Sequence, residues 1–298
     1  MNNIQWYPGH MTKAVRNIKN DIRLVDIVFE LRDARIPNAS SNPDIDQLTA
    51  GKKRLIVLNK ADLADERITI RWKEQLNNES CTVVSMDSRS KKGTGDLYRC
   101  VEELIREKRE RDHARGITGD RPIKALVCGV PNVGKSTLIN TLLGRASAKT
   151  GNKPGVTKGD QWVSTDTGLL LLDTPGILWP KFSDPAVGFL LASFGAISDT
   201  ILDIEEVAVF IIQKLSDLYP GMLSERYGFT EEDIQSHTED TDLYIPGVDY
   251  RALAILDTIA EKRKCLKKGA VPDKEKAAKY LVDDLRAGRL GRITLERP

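Results

Sequence analysis

The chain has 298 residues, 40% hydrophobic and 30% charged, which excludes a disordered or fibrous protein and allows about two domains of ~150 residues each. With 45 Lys and Arg against 43 Asp and Glu, the net charge of +2 assigns no partner, so a nucleic-acid surface would have to come from local clustering. No apolar stretch approaches the ~20 residues that span a bilayer, and Met1–Asn20 lacks the apolar core of a secretory signal; the expectation is a cytoplasmic protein with no membrane partner.

In chain order, the broken segment Trp6-Tyr7-Pro8-Gly9-His10 precedes a helical pattern from Thr12 to about Asp21. Leu24 to Leu31 is rich in Val, Ile and Phe and predicts a buried strand, followed by a Pro, Asn and Ser loop from Pro37 to Pro43. Arg54 to Leu58 predicts a second buried strand, ending in Asn59-Lys60-Ala61-Asp62. A helix from about Asp65 to Leu76 and a short strand from Thr82 to Ser85 come next. The charged helix from Asp96 to about Arg115 spaces Glu102 from Arg106 and Glu107 from Arg111 for i,i+4 pairing. Ile123 to Cys128 predicts a strand running into Gly129-Val130-Pro131-Asn132-Val133-Gly134-Lys135-Ser136 and a helix. Gln161 to Thr165 and Leu169 to Leu172 predict an antiparallel hairpin around Asp166-Thr167-Gly168. From about Pro185 the spacing is helical, with breaks near Pro220-Gly221, Pro246-Gly247 and Pro272. The four cysteines (Cys81, Cys100, Cys128, Cys265) show no metal-ligand spacing and are expected to be reduced thiols. The expected architecture is an α/β domain over residues 1–180 and an all-helical domain over 181–298.

Gly129 to Ser136 matches the phosphate-binding pattern G-x-x-x-x-G-K-[ST] in the required strand-to-helix context. The glycines let backbone N–H groups close around phosphate oxygens, which draws Asn132, Val133, Gly134, Lys135, Ser136 and Thr137 into the nucleotide site. Lys135 would reach the terminal phosphates and the Ser136 hydroxyl would ligate Mg2+. Asp62 can accept two hydrogen bonds from the N1–H and exocyclic amine of guanine, a donor pair that adenine lacks. Asn59 can serve the purine's other edge, the Lys60 stem can lie along the ring, and a backbone N–H at Ser85-Met86 can face the guanine carbonyl. At the end of the following strand, Asp173 can hold a Mg2+-bound water and the Gly176 N–H can meet the γ-phosphate. Thr157, in Pro154-Gly155-Val156-Thr157, is either a further Mg2+ ligand in the GTP state or an exposed loop threonine.

Base recognition thus precedes the phosphate loop, Thr157 and Asp173-Thr174-Pro175-Gly176, an order that resembles the circularly permuted GTPase family. Trp6-Tyr7-Pro8-Gly9-His10-Met11, Asp33-Ala34-Arg35-Ile36-Pro37 and the helical C-terminal half bring the resemblance closest to members acting in late assembly of the large ribosomal subunit. It implies a permuted P-loop GTPase domain with a mostly parallel sheet and flanking helices, then an all-helical domain that binds the subunit precursor and its rRNA. GTP and GDP would be its ligands. Ile177 stands where many GTPases carry a water-orienting Gln; the resemblance implies that His10 contributes instead, joining Lys135, Thr157 and Gly176 as catalytic groups. His10 also reads as a solvated or RNA-contacting side chain. Asn132 matches permuted GTPases that use K+ near the phosphates, or is a loop-capping asparagine.

Two basic clusters are candidate rRNA contacts or solvated helix faces: Lys13, Arg16 and Lys19, and Lys262, Arg263, Lys264, Lys267 and Lys268. The chain beyond Asp173-Thr174-Pro175-Gly176 leads through Ile177-Leu178-Trp179-Pro180 into the helical domain, so a γ-phosphate-ordered loop would be tethered to that domain. The two function classes are a GTP-hydrolysing assembly factor whose turnover the subunit stimulates, and a nucleotide-sensing RNA-binding scaffold in which hydrolysis is incidental.

Overall fold

The computed structural model describes residues 16, 18–117, 122–144, 161–165, 168–179, 182, 184–238, 249–269 and 271–298. The chain divides into two compact units, Met1–Ser183 with Glu296–Pro298, and Asp184–Leu295.

The first unit is built on a six-stranded sheet in the order β3-β2-β1-β4-β6-β5. Residues 18–21 are helical (α1) and pass through a 3-10 turn, Ile22–Leu24, into β1, Ile27–Asp33. The strand therefore starts later than Leu24, which lies half exposed in the turn. All seven residues of β1 are buried because it has a parallel partner on each side: β2 (Lys53–Asn59) and β4 (Ile123–Gly129). β3 (Cys81–Met86) extends the sheet beyond β2, and β6 (Leu169–Asp173) lies parallel to β4. β5 (Gln161–Ser164) closes the edge as the antiparallel arm of the predicted hairpin.

Helices α3 (Glu66–Leu76), α4 (Thr94–Ala114) and α5 (Lys135–Leu143) connect the strands. Asp65 caps α3 by accepting from the N–H groups of Arg67 and Ile68. The Pro37 to Pro43 loop ends in a short helix that loop composition hid, α2 (Pro43–Leu48), where Asn42 accepts from Asp44 N at 2.9 Å and Pro43 opens the first turn. On α4 the predicted charge pairs are replaced: Arg106 pairs with Glu103 and Glu110, Arg111 donates to the Glu107 carbonyl, and Lys53 reaches the Glu107 carboxylate at 3.3 Å. Neighbouring groups compete for the same arginines at i,i+3 and i,i+4, so spacing alone does not choose the partner.

Inside the sheet layer, Glu30 is buried between Arg32 (2.7 Å) and Arg54. Burial alone would raise its carboxyl, but the two guanidinium groups hold it below the usual range. Because the five parallel strands run the same way, their C-terminal ends place Asp33, Asn59, Met86, Gly129 and Asp173 along one rim, where ligands of such sheets bind.

The second unit is helical among its described residues, with α6 (Pro185–Ser193), α7 (Ile204–Leu218), α8 (Met222–Tyr227), α9 (Glu231–Thr238), α10 (Tyr250–Lys262) and α11 (Lys274–Arg286). Ile211, Leu215, Leu256, Ile259 and Leu281 form its dry centre. Asp284 is fully buried there and satisfied by Arg226 (2.9 Å), Arg289 and the Tyr227 hydroxyl (3.2 Å). The predicted breaks near Pro220-Gly221 and Pro272 fall between helices; that at Pro246-Gly247 lies outside the described residues. Among the described residues no helix is long and apolar enough to cross a membrane.

Candidate functional site

The phosphate loop turns from the end of β4 into the first turn of α5, with Gly134 at the helix N-cap (φ 103°) and Asn132 in the left-handed region (φ 59°). A Cβ at Gly134 would collide with the Asn59 amide, so only glycine lets the loop pass the end of β2. Lys135 is buried, and its Nζ donates to the carbonyls of Gly129 (3.1 Å) and Val130 (2.9 Å). Burial pushes this ammonium down to about 8, against the pull of Asp173. A pH dependence follows. Below about 8 the lysine is charged and ready for phosphate; above it, binding must take up a proton. GDP affinity should therefore be flat up to about pH 8 and then fall by about tenfold per unit, a slope that Lys135→Arg should remove; titration calorimetry across pH 6.5–9.5 measures both.

Asn59 ties three parts of the site together. Its Nδ2 donates to the Val133 carbonyl of the phosphate loop at 2.7 Å, and its Oδ1 accepts from Ser88 N (3.1 Å) and Ser88 Oγ (2.7 Å). The amide expected at a purine edge is thus engaged as a brace. No spacing in the sequence marks Ser88, which lies in an Asp-Ser-Arg-Ser run just past Ser85-Met86. Met86 is buried, and its carbonyl accepts from Ala61 N at 3.1 Å, fixing the turn after β2 against β3. Lys60 adopts φ 60° and sends its Nζ to Asp33 Oδ2 at 3.0 Å. Asp33 also receives Arg35 at 2.9 Å; although burial opposes ionisation, Arg35 and Lys60 keep this carboxyl well below the usual range. Asp62 is exposed, and partial burial with the Asp87 carboxylate nearby raises it.

Across the rim, Asp173 is buried and pairs in register with Val127, and Thr174 Oγ1 donates to the Val127 carbonyl at 2.8 Å. A Cβ on Gly176 would lie 2.7 Å from Pro131 Cα and 2.8 Å from Pro131 N. The Gly129–Ser136 loop and the Asp173–Gly176 loop are therefore in close backbone contact. Gly176→Ala should force them apart and weaken a GTP analogue by about tenfold, with GDP nearly unaffected, in paired fluorescence titrations.

Ile177 is in the core: 2% exposed, clustered with Ile18, Val28, Ile45, Leu126 and Leu172, its N–H bonded to the Gly129 carbonyl at 3.3 Å. This position presents no polar group to a nucleophilic water.

Ser136 and Asp173 supply the hard oxygen donors that Mg2+ prefers, from the first turn of α5 and the end of β6. Among the described residues no group of three or more His, Cys, Asp or Glu forms a metal cage.

His10, Lys13 and Thr157 lie outside the described residues. Arg16 and Lys19 are exposed. The second basic cluster is thinner than the sequence suggested: Lys262 pairs with Asp233 at 3.0 Å, and Arg263 stacks between the rings of Tyr227 (5.1 Å) and Tyr280 (5.5 Å). Lys264, Lys267 and Lys268 remain exposed.

A phosphate loop braced by an Asn-Lys-x-Asp strand that precedes it in the chain, facing an Asp-x-x-Gly loop, defines a GTPase of permuted order. Residues 124–238 match the family described as 50S ribosome-binding GTPase. The chain is 41% identical to ribosome biogenesis GTPase A of Priestia megaterium, over 99% of this chain and 97% of that one. It is 32% identical to the Thermotoga maritima protein of that description, over 99% and 95%. Solved structures agree: GNP-bound YlqF from T. maritima is similar with a TM-score of 0.62 and 28% identity, covering 96% of this chain and 98% of that one. The GDP-bound TM YlqF gives 0.63 and 27%, covering 95% and 99%. The chain belongs to the ribosome biogenesis GTPase A family.

Proposed function

We propose that this GTPase acts at a late step of large ribosomal subunit maturation, binding the precursor and its rRNA in the GTP state and hydrolysing GTP when the subunit stimulates it. The names of the matching family and relatives support a ribosomal partner. The burial of Ile177 is the observation that carries stimulated turnover, since the isolated site lacks a polar side chain where other GTPases orient water. His10 is the proposed replacement, with Lys135, Gly176 and Thr157 at the phosphates, Mg2+ on Ser136, Asp173 and Thr157, and K+ beside Asn132. Mg2+ would supply charge neutralisation at the phosphates. The proposed division of labour puts the GTPase domain at residues 1–180, the subunit-binding helical domain at 181–298, and the site of action in the cytoplasm.

The same buried Ile177 favours the scaffold reading, in which nucleotide gates RNA binding and hydrolysis is incidental. Single-turnover GTP hydrolysis with and without purified large subunits separates the two. Acceleration by the subunit is expected, with co-sedimentation stronger with a GTP analogue than with GDP; a rate unmoved by subunits leaves the scaffold. Binding should also weaken with salt through Arg16, Lys19, Lys264, Lys267 and Lys268. Changing Lys264, Lys267 and Lys268 together to Gln should flatten the salt slope by roughly two to three in log–log terms, as co-sedimentation across 50–300 mM KCl would show.

A further inference from the structure

The segment from Asp33 to Asn42 closes on itself. Ser40 Oγ accepts from Asp33 N (3.0 Å) and donates to the Ile36 carbonyl (2.6 Å), while Ile36 N donates to the Asp33 carbonyl (2.9 Å). Each end of this segment grips a nucleotide motif. At one end Asp33 holds Lys60 Nζ, and Ala34 N donates to the Asn59 carbonyl at 2.9 Å. At the other, Asn42 Nδ2 donates to the Ile177 carbonyl at 3.2 Å, one residue past Gly176.

The middle of the segment is held by the far end of the chain. Glu296, third from the C-terminus, accepts from Asn38 N (2.7 Å, Oε2) and Ala39 N (2.9 Å to Oε1, 3.1 Å to Oε2). A carboxylate accepting from two consecutive backbone N–H groups makes charge-assisted bonds, roughly twice as strong as neutral ones. Glu296–Pro298 accordingly belongs to the first compact unit, although the preceding residues back to Asp184 form the second. The helical unit is thus attached to the nucleotide-binding unit by two stretches of chain: one leaves the Gly176 loop, and the other ends on the segment that braces that loop and Lys60.

We propose that Glu296 is a positioning residue for the nucleotide site: by fixing Asn38 and Ala39 it holds Asp33 against Lys60 and Asn42 against the Gly176 exit, so that displacement of the C-terminal tail weakens nucleotide binding. This rests on the guanine-nucleotide site described above. GTP is more sensitive than GDP, since the Asn42 arm acts on the loop that meets the γ-phosphate while the Lys60 arm acts on both nucleotides. Linkage makes the effect reciprocal: nucleotide must tighten the hold of Glu296 on Asn38 and Ala39.

The test uses the full-length protein with fluorescent GDP and a non-hydrolysable GTP analogue. Glu296→Ala should raise the Kd for the analogue by about three- to tenfold and that for GDP by less, with Glu296→Gln intermediate because it keeps one acceptor oxygen. Glu225→Ala, at an exposed carboxylate of the helical unit, should bind like the parent. In a Lys60→Ala background the GDP effect of Glu296→Ala should disappear, whereas a general loosening of the fold would persist. In the parent, nucleotide should slow amide hydrogen exchange at Asn38 and Ala39. Affinities within twofold of the parent in Glu296→Ala, or exchange at those two amides indifferent to nucleotide, overturn the proposal. A parent that binds no guanine nucleotide overturns the site assignment as well.

Discussion

Asp62→Asn should lower GTP affinity by roughly 30- to 1,000-fold and raise relative affinity for xanthosine triphosphate. The carboxylate is exposed at the turn after β2, and its neighbours fix the turn in place: Ala61 N on the Met86 carbonyl (3.1 Å) and Leu63 N on the Lys60 carbonyl (3.0 Å). A guanine ring presents two donors to that position, and the carboxylate accepts both. An amide in its place offers one donor and one acceptor, so one guanine donor faces an N–H and goes unmet. Losing one charge-assisted bond and reducing the other to a neutral one costs about 2–4 kcal/mol, which is the stated range of affinity. Xanthine carries a carbonyl where guanine carries its amine, and the new amide N–H matches it. Competition among GTP, ATP and XTP on the parent and the variant checks this, with the melting temperature as a control. An unchanged preference for GTP would place base recognition elsewhere.

His10→Ala should leave GTP affinity and subunit binding intact while removing most of the subunit-stimulated turnover, by roughly tenfold to a thousandfold. The argument begins from Ile177, whose side chain packs among Ile18, Ile45 and Leu172 and whose backbone is bonded at both N–H and C=O. No small rotation brings a polar group from that residue to the phosphates. Phosphoryl transfer asks the protein mainly for positioning and for charge stabilisation. A histidine has a side chain able to donate or accept a hydrogen bond near neutral pH. Rapid-quench hydrolysis on purified subunits, with binding measured in parallel, decides the matter. Near-parent turnover in the variant would move catalysis onto the ribosome or onto K+ near Asn132.

The nucleotide-binding half was legible because its chemistry demands fixed spacings. Gly134 must pass the Asn59 amide, and Gly176 must lie against Pro131, so the glycines stand at set distances from the lysine and aspartates that flank them. The strands were legible for a related reason: β1, β2 and β4 are largely buried and each carries a short apolar core (Ile27-Val28-Phe29, Leu55-Ile56-Val57-Leu58 and Ala125-Leu126-Val127), although the charged Glu30 and Arg32 within β1 gave no sign of the buried ion pair they form. Interactions between distant residues left no such trace. Nothing near Glu296 signals that it bonds Asn38 and Ala39, and nothing near Lys262 or Arg263 signals Asp233, Tyr227 or Tyr280. The basic cluster therefore overstated the charge free for RNA. Helix α2 was hidden by its own start signals, since Asn42-Pro43 marks a helix N-terminus and a loop equally well.

The position of β1 in the sheet bears on how the protein is made. Its neighbour β2 follows after one crossover that contains α2, but its other neighbour, β4, pairs Ala125 with Ile27 and is translated only after β2, β3 and the whole of α4. A nascent chain that has emerged through α4 carries β3, β2 and β1 with one long edge of β1 open, and all seven residues of that strand are buried in the finished fold. Such an edge invites pairing with other chains until β4 is laid against it, and contacts spanning this much sequence form slowly. The residues proposed to read the base are thus complete early, while those proposed to grip the phosphates arrive with β4 and α5. The nucleotide can be held only by a finished sheet, so its binding to a growing chain would mark the moment at which the vulnerable edge closes.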